Sequence, residues 1–440
     1  MFIKSFRASK VYGVLDFDVK FNRDLTYLIG ANGSGKTTVL KLIHSLLSLD
    51  IGGLLRIPFS RIELCIETSK EMKLYCFKST EKIEIGMGDD VVNFKVPTIT
   101  SKNSRKYRYE YDFDDLLSAE DRVDVFEIRK KIPNVTFLSL NRTYLGRDLD
   151  LDYEAAAMER YHYNSSKRQA KFESDSFANI TDAIFIIQDS YRVLKVYEDK
   201  KNVKLRDNIL KSAFQYSDVS YSRFKGGNVE DEIASVLNRE VEITEAVHSL
   251  GSKTASLRNE VEHFFKKLKV LYDSIHGVEE TAFSLELLMN KAQIDRFLSL
   301  IDIIDEHKST VDKLFEPINL FLETINEFFQ DSNKLVSINT IGRLGIVNSY
   351  GDEVPIEGLS SGERQLLVIF AHAIIKTVRK PSYRKGLFLI DEPELSLHMK
   401  WQERFSEKIV EVNQGAQFIM ATHSPEIVGE NTDKFVAVDG

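Results

Sequence analysis

Eight residues near the start of the chain, Gly30-Ala31-Asn32-Gly33-Ser34-Gly35-Lys36-Thr37, constrain its fold more than any other feature. The glycines let successive backbone N–H groups curl around an anion at a helix N-terminus, and the lysine with its following hydroxyl completes a phosphate-binding loop. Such a loop needs an apolar strand before it and a helix after it. Leu25-Thr26-Tyr27-Leu28-Ile29 supplies the strand. Val39, Leu40, Ile43, Leu46 and Leu47 recur at i, i+3 and i+4 spacing and supply the helix. The fold class is therefore α/β. Residues 32–38 (Asn32, Gly33, Ser34, Gly35, Lys36, Thr37 and Thr38) are expected to bind ATP, with Lys36 on the β- and γ-phosphates and the Thr37 hydroxyl on Mg²⁺.

The complementary half lies far away in the sequence. Gly386-Leu387-Phe388-Leu389-Ile390 is an apolar strand that ends in two acids, Asp391 and Glu392, before Pro393. Adjacent acids at a strand end are common in loops. Beside a phosphate loop they gain meaning: Asp391 as a magnesium ligand through water, Glu392 as the base that orients and deprotonates the attacking water. A further strand, Ala416–Met420, leads to Ala421-Thr422-His423-Ser424, which places His423 where it senses the γ-phosphate. Between them, Glu394-Leu395-Ser396-Leu397-His398 reads as a loop facing an opposing subunit. Leu359-Ser360-Ser361-Gly362-Glu363-Arg364-Gln365 begins a helix that Ser360 or Ser361 can cap, with Leu366, Leu367, Ile369 and Phe370 as its apolar face. A helix start rich in serine and glycine is also an anion site. Ser361 and Gly362 are thus expected at the γ-phosphate bound by a second molecule.

Residues 1–30 read as a short β-meander, 56–100 as further β segments with a turn at Gly86–Asp90, and Val135–Leu140 as a buried strand. The middle is helical. Residues 176–216 carry an apolar stripe through Ile180, Ile184, Ile187, Val193 and Val196. Two seams with steps of four and three follow, Ile243 to Leu271 and Ile294 to Phe329, joined by a turn at Ser274–Gly277. They suggest an antiparallel coiled-coil hairpin over about 230–330, with Lys308 as a fault and a kink at Pro317. The expected domains are 1–150 and 333–440 as two halves of one head, and 151–332 as a helical insertion.

No apolar run is long enough to span a bilayer and the N-terminus shows no secretory signal, so a cytoplasmic, membrane-free protein is expected. Cys65 and Cys76 read as buried strand residues rather than a disulfide or metal pair. The formal net charge of −8 weighs against constitutive DNA binding, and Lys102, Arg105, Lys106 and Arg108 read as a solvated basic loop.

Gly30–Thr37, Leu359–Gln365, Leu389–Glu392 and Ala421–His423 together resemble the ABC-type ATPase head of the SMC, RecF and OLD families. The resemblance covers roughly 1–150 and 333–440. It implies a mixed sheet around the phosphate loop, an antiparallel β subdomain, ATP hydrolysis with ATP and Mg²⁺, and a homodimer of heads that sandwiches two nucleotides. It also implies a glutamine after the Leu138–Leu140 strand that contacts metal and water. This chain has Asn141 there, which is taken as the candidate metal ligand; Gln188, in a helix-like segment, is the weaker candidate. Ser361 stands where many relatives have glycine.

OLD nucleases continue into a Toprim nuclease domain, for which the 17 residues after His423 leave no room. The resemblance therefore favours the stand-alone ATPase subunits of bacterial anti-phage systems, PARIS-type first and Septu-type next. It implies a separate Toprim-like or HNH effector nuclease or toxin, a phage trigger protein, and higher homo-oligomers of the head dimer. The competing expectation is a RecF- or SMC-like repair or recombination ATPase that binds DNA directly. The helical insertion weighs against a transporter subunit.

Overall fold

A computed structural model describes residues 2–67, 70–80, 82–95, 125, 128–132, 134–139, 180–213, 229–241, 244, 262–263, 265–270, 272–273, 285–379 and 386–438. The chain divides into two compact units, Met1–Tyr191 with Pro317–Gly440, and Arg192–Glu316.

The first unit holds the sheets. Strands β1 (Phe2–Val11), β2 (Leu15–Lys20), β4 (Arg61–Glu67), β5 (Glu71–Lys78), β6 (Lys82–Met87) and β7 (Asp90–Lys95) form an antiparallel sheet in the order β2-β1-β4-β5-β6-β7. The β6–β7 turn is the one expected near Gly86–Asp90. It closes on the pair Met87–Asp90, with Gly88 at φ +64°, a conformation that favours glycine. The N-terminal meander is shorter than its sequence suggests. Strand β3 (Leu25–Ile29) leaves it for a second, wholly parallel sheet of order β13 (Phe435–Ala437), β3, β12 (Gln417–Ala421), β11 (Leu387–Asp391), β8 (Val135–Ser139). The reason is its composition: Leu25, Thr26, Tyr27 and Leu28 are all buried, as a strand covered on both faces requires.

That parallel sheet draws on both ends of the chain: β3, β8 (Val135–Ser139), β11 (Leu387–Asp391), β12 (Gln417–Ala421) and β13 (Phe435–Ala437). Helix α1 (Lys36–Ser48) packs Val39, Leu40, Leu42, Ile43, Leu46 and Leu47 into the core that also takes Leu28, Phe137, Leu389 and Ile419. Helix α2 (Ile51–Arg56) follows, capped by Asp50. Gln417 joins the two sheets. Its buried amide accepts the Ile3 N–H (2.8 Å) and donates to the carbonyls of Ile3 (2.8 Å) and Asn22 (2.7 Å). Cys65 and Cys76 are free, buried thiols, which burial pushes up to about 11 and about 12.

The helical middle is built from α3 (Ile180–Ala213), α4 (Val229–Asn238) and α5 (Leu285–Phe329). The two compact units divide at Tyr191/Arg192 and Glu316/Pro317. Helix α5 shows why. Ile301 and Ile304 are buried at seam spacing and Lys308 is exposed, as expected for a narrow stripe. Beyond Pro317 the helix buries Ile318, Phe321, Thr324, Ile325, Phe328 and Phe329, a face too wide for a two-helix seam. Phe328 lies 5.6 Å from the Phe370 ring and 6.2 Å from Trp401, both in the first unit. At the other boundary, Tyr191 lies so close to Gly342 that a Cβ there would meet it at 2.9 Å.

In the second unit Arg239 pairs with Asp305, and Lys195 lies over the Phe315 ring. Most of the first expected seam and its Ser274–Gly277 turn fall outside the described residues, as do Asn141 and the basic loop Lys102–Arg108. No described helix is long and apolar enough to cross a membrane.

The C-terminal segment adds a hairpin, β9 (Lys334–Ile338) with β10 (Leu344–Asn348), then α6 (Ser361–Phe370), which runs through a π-helical turn at Ala371–Ile375. Helices α7 (Met399–Val412) and α8 (Pro425–Val428) complete the unit.

Candidate functional site

Parallel strands all present their C-terminal ends at one edge of a sheet, and that edge is where α/β folds place ligands. Here register aligns Leu28 with Ala421, Ala421 with Asp391, and Asp391 with Ser139. Each strand therefore releases its motif at the same level: β3 the phosphate loop, β11 the two acids, β12 the Thr422-His423-Ser424 segment.

The phosphate loop is shaped by glycine. Gly33 and Gly35 sit at φ +85° and +99°, and a Cβ on Gly35 would lie 2.6 Å from Phe17 Cζ. Gly30 is equally confined, since its Cβ would meet Ser34 Oγ and the Val438 carbonyl at 2.6 Å. Asn32 and Gly33 are exposed at the tip, and Ser34 is half-buried with its hydroxyl oxygen unpartnered among the described residues. Gly35 caps α1 with no side-chain hydrogen bond. Lys36 is buried, and its ammonium donates to the carbonyls of Gly30 (2.9 Å) and Ala31 (3.1 Å). Burial lowers its pKa, against the opposing pull of Glu392, Asp391 and Glu394. Those three carboxylates thus favour the charged ammonium. Thr37 and Thr38 lie in the first turn of α1, half-buried.

The two chain halves meet directly at Thr37, whose hydroxyl donates to Asp391 Oδ1 at 2.9 Å. Burial raises the Asp391 pKa, Thr37 opposes that rise, and Glu392 adds to it. Hydroxyl and carboxylate oxygens side by side suit a hard cation. Among the described residues no group of three His, Cys, Asp or Glu side chains could hold a metal by itself. Magnesium fits such a sparse donor set, since it keeps waters and takes further oxygens from phosphates.

Glu392 occupies a left-handed conformation, φ +52°, rare for a residue with a Cβ. Its amide donates to the Ala421 carbonyl (2.8 Å), which holds the bend between the β11 and β12 loops. His423 is exposed, and its amide donates to Glu394 Oε1 at 2.7 Å. The Ser424 hydroxyl donates to Gln402 Oε1 (2.6 Å), and Gln402 Nε2 donates to the Leu397 carbonyl (2.8 Å).

Ser360, not Ser361, caps α6. Its hydroxyl accepts the Glu363 amide (3.2 Å) while its own amide donates to Glu363 Oε2 (2.7 Å), a complete capping box. Ser361 is exposed, whereas Gly362 is buried against the acidic loop of its own chain, where a Cβ would meet the Ser396 carbonyl at 2.5 Å. Glu363 also accepts from Lys334 Nζ (2.8 and 2.9 Å) and the Ser332 hydroxyl (2.6 Å). Burial alone pushes this carboxyl up; Lys334, Ser332 and the Ser360 amide outweigh it and hold it below its ordinary value.

Sequence reasoning missed Glu394 as a partner of His423, Lys334 as the counter-ion of Glu363, and Gln365, whose amide donates to the Pro393 carbonyl at 2.7 Å. The last two join segments 28 or more residues apart, and no local spacing announces such contacts. Glu394 carried a faint signal, being a third acid within four residues.

Comparison with known proteins places the chain in a family. The family model described as AAA ATPase domain matches residues 1–428. A retron Vc95 probable ATPase from Vibrio cholerae serotype O1 biovar El Tor is 28% identical over 170 residues, covering 36% of this chain and 33% of that protein. The Septu protein PtuA from Bacillus thuringiensis is 30% identical over 169 residues, 36% of this chain and 40% of that one. The matched segment thus spans well under half the length of each relative. Among solved structures, the Smc head domain with an extended coiled coil from Pyrococcus furiosus gives a TM-score of 0.40 at 14% identity, over 99% of this chain and 93% of that one. The chain belongs to the AAA ATPase domain family and is an ATP-hydrolysing enzyme.

Proposed function

We propose that this ATPase works as a dimer of heads closed by ATP, and that closure controls a separate effector nuclease or toxin in cytoplasmic anti-phage defence. The observation that carries the chemistry is the convergence of Lys36, Thr37, Asp391, Glu392 and the His423 segment on one sheet edge. In this reading the α1 amides and the Lys36 ammonium neutralise phosphate charge. Thr37 and Asp391 would hold Mg²⁺, which supplies charge neutralisation at the β- and γ-oxygens when bound. Glu392 accepts a proton from the attacking water, and His423 contacts the γ-phosphate. Asn141, outside the described residues, remains the candidate for a further metal contact.

Ser361 and Gly362 of a second copy complete the site. In a two-fold dimer each copy would lend its Ser361 and Gly362 to the phosphate loop of the other. The defence role rests on the likeness to a retron probable ATPase and to a Septu protein.

The test is Glu392→Gln. It retains shape and hydrogen-bonding capacity but removes the base. ATP binding should persist, turnover should fall by about 100-fold or more, and size-exclusion chromatography with ATP should show a trapped dimer. Normal turnover in that variant would remove Glu392 from the role of base.

A further inference from the structure

Glu394 is a carboxylate that the chemistry above leaves without a task. Its Oε1 accepts the His423 amide at 2.7 Å, while Oε2 is buried without a hydrogen-bond partner among the described residues. A half-satisfied buried carboxylate is costly, and its retention in a site points to a role beyond packing. Its charge also reaches Lys36, alongside those of Asp391 and Glu392.

Glu394 begins a tight turn. The Leu397 amide donates to its carbonyl (2.9 Å), and Ser396 takes the left-handed conformation at φ +70°. That strained residue directs its carbonyl at Gly362, close enough to forbid a Cβ there. Just before Glu394, the Pro393 carbonyl is held by Gln365 of α6. One short loop therefore touches the histidine segment with a carboxylate and the start of α6 with two carbonyls.

We propose that Glu394 is the positioning residue of His423: its carboxylate fixes the histidine backbone and sets it together with the α6 N-terminus of the same chain. This rests on the reading of His423 as the γ-phosphate contact. A change at the phosphate would then reach Gly362 through Glu394, Ser396 and one turn of backbone, within one protomer.

The test uses the full chain and a steady-state ATPase assay. Glu394→Ala removes the acceptor, and kcat should fall by about tenfold, the usual cost of losing an orienting partner. KM for ATP should stay within about twofold. Glu394→Gln keeps an oxygen acceptor and should recover to within about threefold of wild type. In a His423→Ala background, Glu394→Ala should cost nothing further, because the imidazole it positions is gone. If Glu394→Ala fails to fold in thermal melts, Glu394→Asp, which withdraws the acceptor by one methylene, should show the same pattern. Losses that multiply in the double variant, or a Gln variant as impaired as Ala, overturn the proposal alone. His423→Ala with wild-type kcat, beside an inactive Lys36→Ala, overturns the histidine's role and Glu394's with it.

Discussion

The chain contains two helix N-termini that its sequence marks as anion sites, and the structure finishes them in opposite ways. Helix α1 starts at a left-handed glycine, Gly35, with no side chain on its first amides. Helix α6 starts at Ser360 with a full capping box, and its Glu363 is buried in a network with Lys334 and Ser332. An uncapped helix start is less stable, and a bound phosphate offsets that cost. A capped start is complete without ligand. The first end leaves its amides open to an anion, whereas the second is rigid before anything arrives. Rigidity suits a surface offered to another molecule, because little ordering entropy is then lost on contact.

Substitutions can break each side of this contrast. The largest effect is expected at α1. Lys36→Ala removes the one buried cation of the loop, and phosphate release should fall by about 100-fold or more. Gly35→Ala should match it through lost nucleotide binding, since Ala is strained at φ +99° and its Cβ would strike Phe17. At α6 the largest effect should be on stability. Lys334→Met leaves Glu363 buried and unpaired, which costs about 3–5 kcal/mol and is read from denaturant midpoints.

Behind their N-termini both helices bury a histidine, so acid should weaken both. Burial holds His44 on α1 down at about 4, and pushes His372, in the π-helical turn after α6, well below its ordinary value of 6.5. Both stay neutral in the folded chain while the unfolded chain charges first. Stability from them is complete above pH 6.5 and is lost as pH falls below it, for His44 down to about 4. Between pH 6.5 and pH 5 the His44 contribution should shrink by about 2 kcal/mol. His44→Leu should flatten that part of the curve. The smallest effect is Ser360→Ala, about 1 kcal/mol for a lost cap, with ATP binding in the same chain unchanged.

Local chemistry was legible in the sequence wherever a motif carries its own geometry. The glycines of the phosphate loop, the acids ending an apolar strand, and the serine–glutamate spacing of the α6 cap each dictate a backbone conformation within a few residues. Tertiary choices were not legible. Strand β3 could have closed a meander; burial on both faces drew it into the parallel sheet. The 3.5-residue seam of α5 hid its change of environment at Pro317, because Phe321, Thr324 and Phe328 lie off the seam yet are buried, Phe328 beside Phe370 and Trp401. Gln365 was invisible as a partner, and Glu394 nearly so, because each bonds a backbone group on another element.

The reading that the rigid end of one chain serves the phosphate end of another is tested most directly by mixing two inactive proteins. One carries Lys36→Ala, the other Ser361→Arg, at a position exposed on its own chain. In a mixed dimer, the Lys36 of one chain and the Ser361 of the other form a single intact site. Half the dimers are mixed, so activity should return to about a quarter of the wild-type level. A mixture no more active than the sum of its parts would contradict the account.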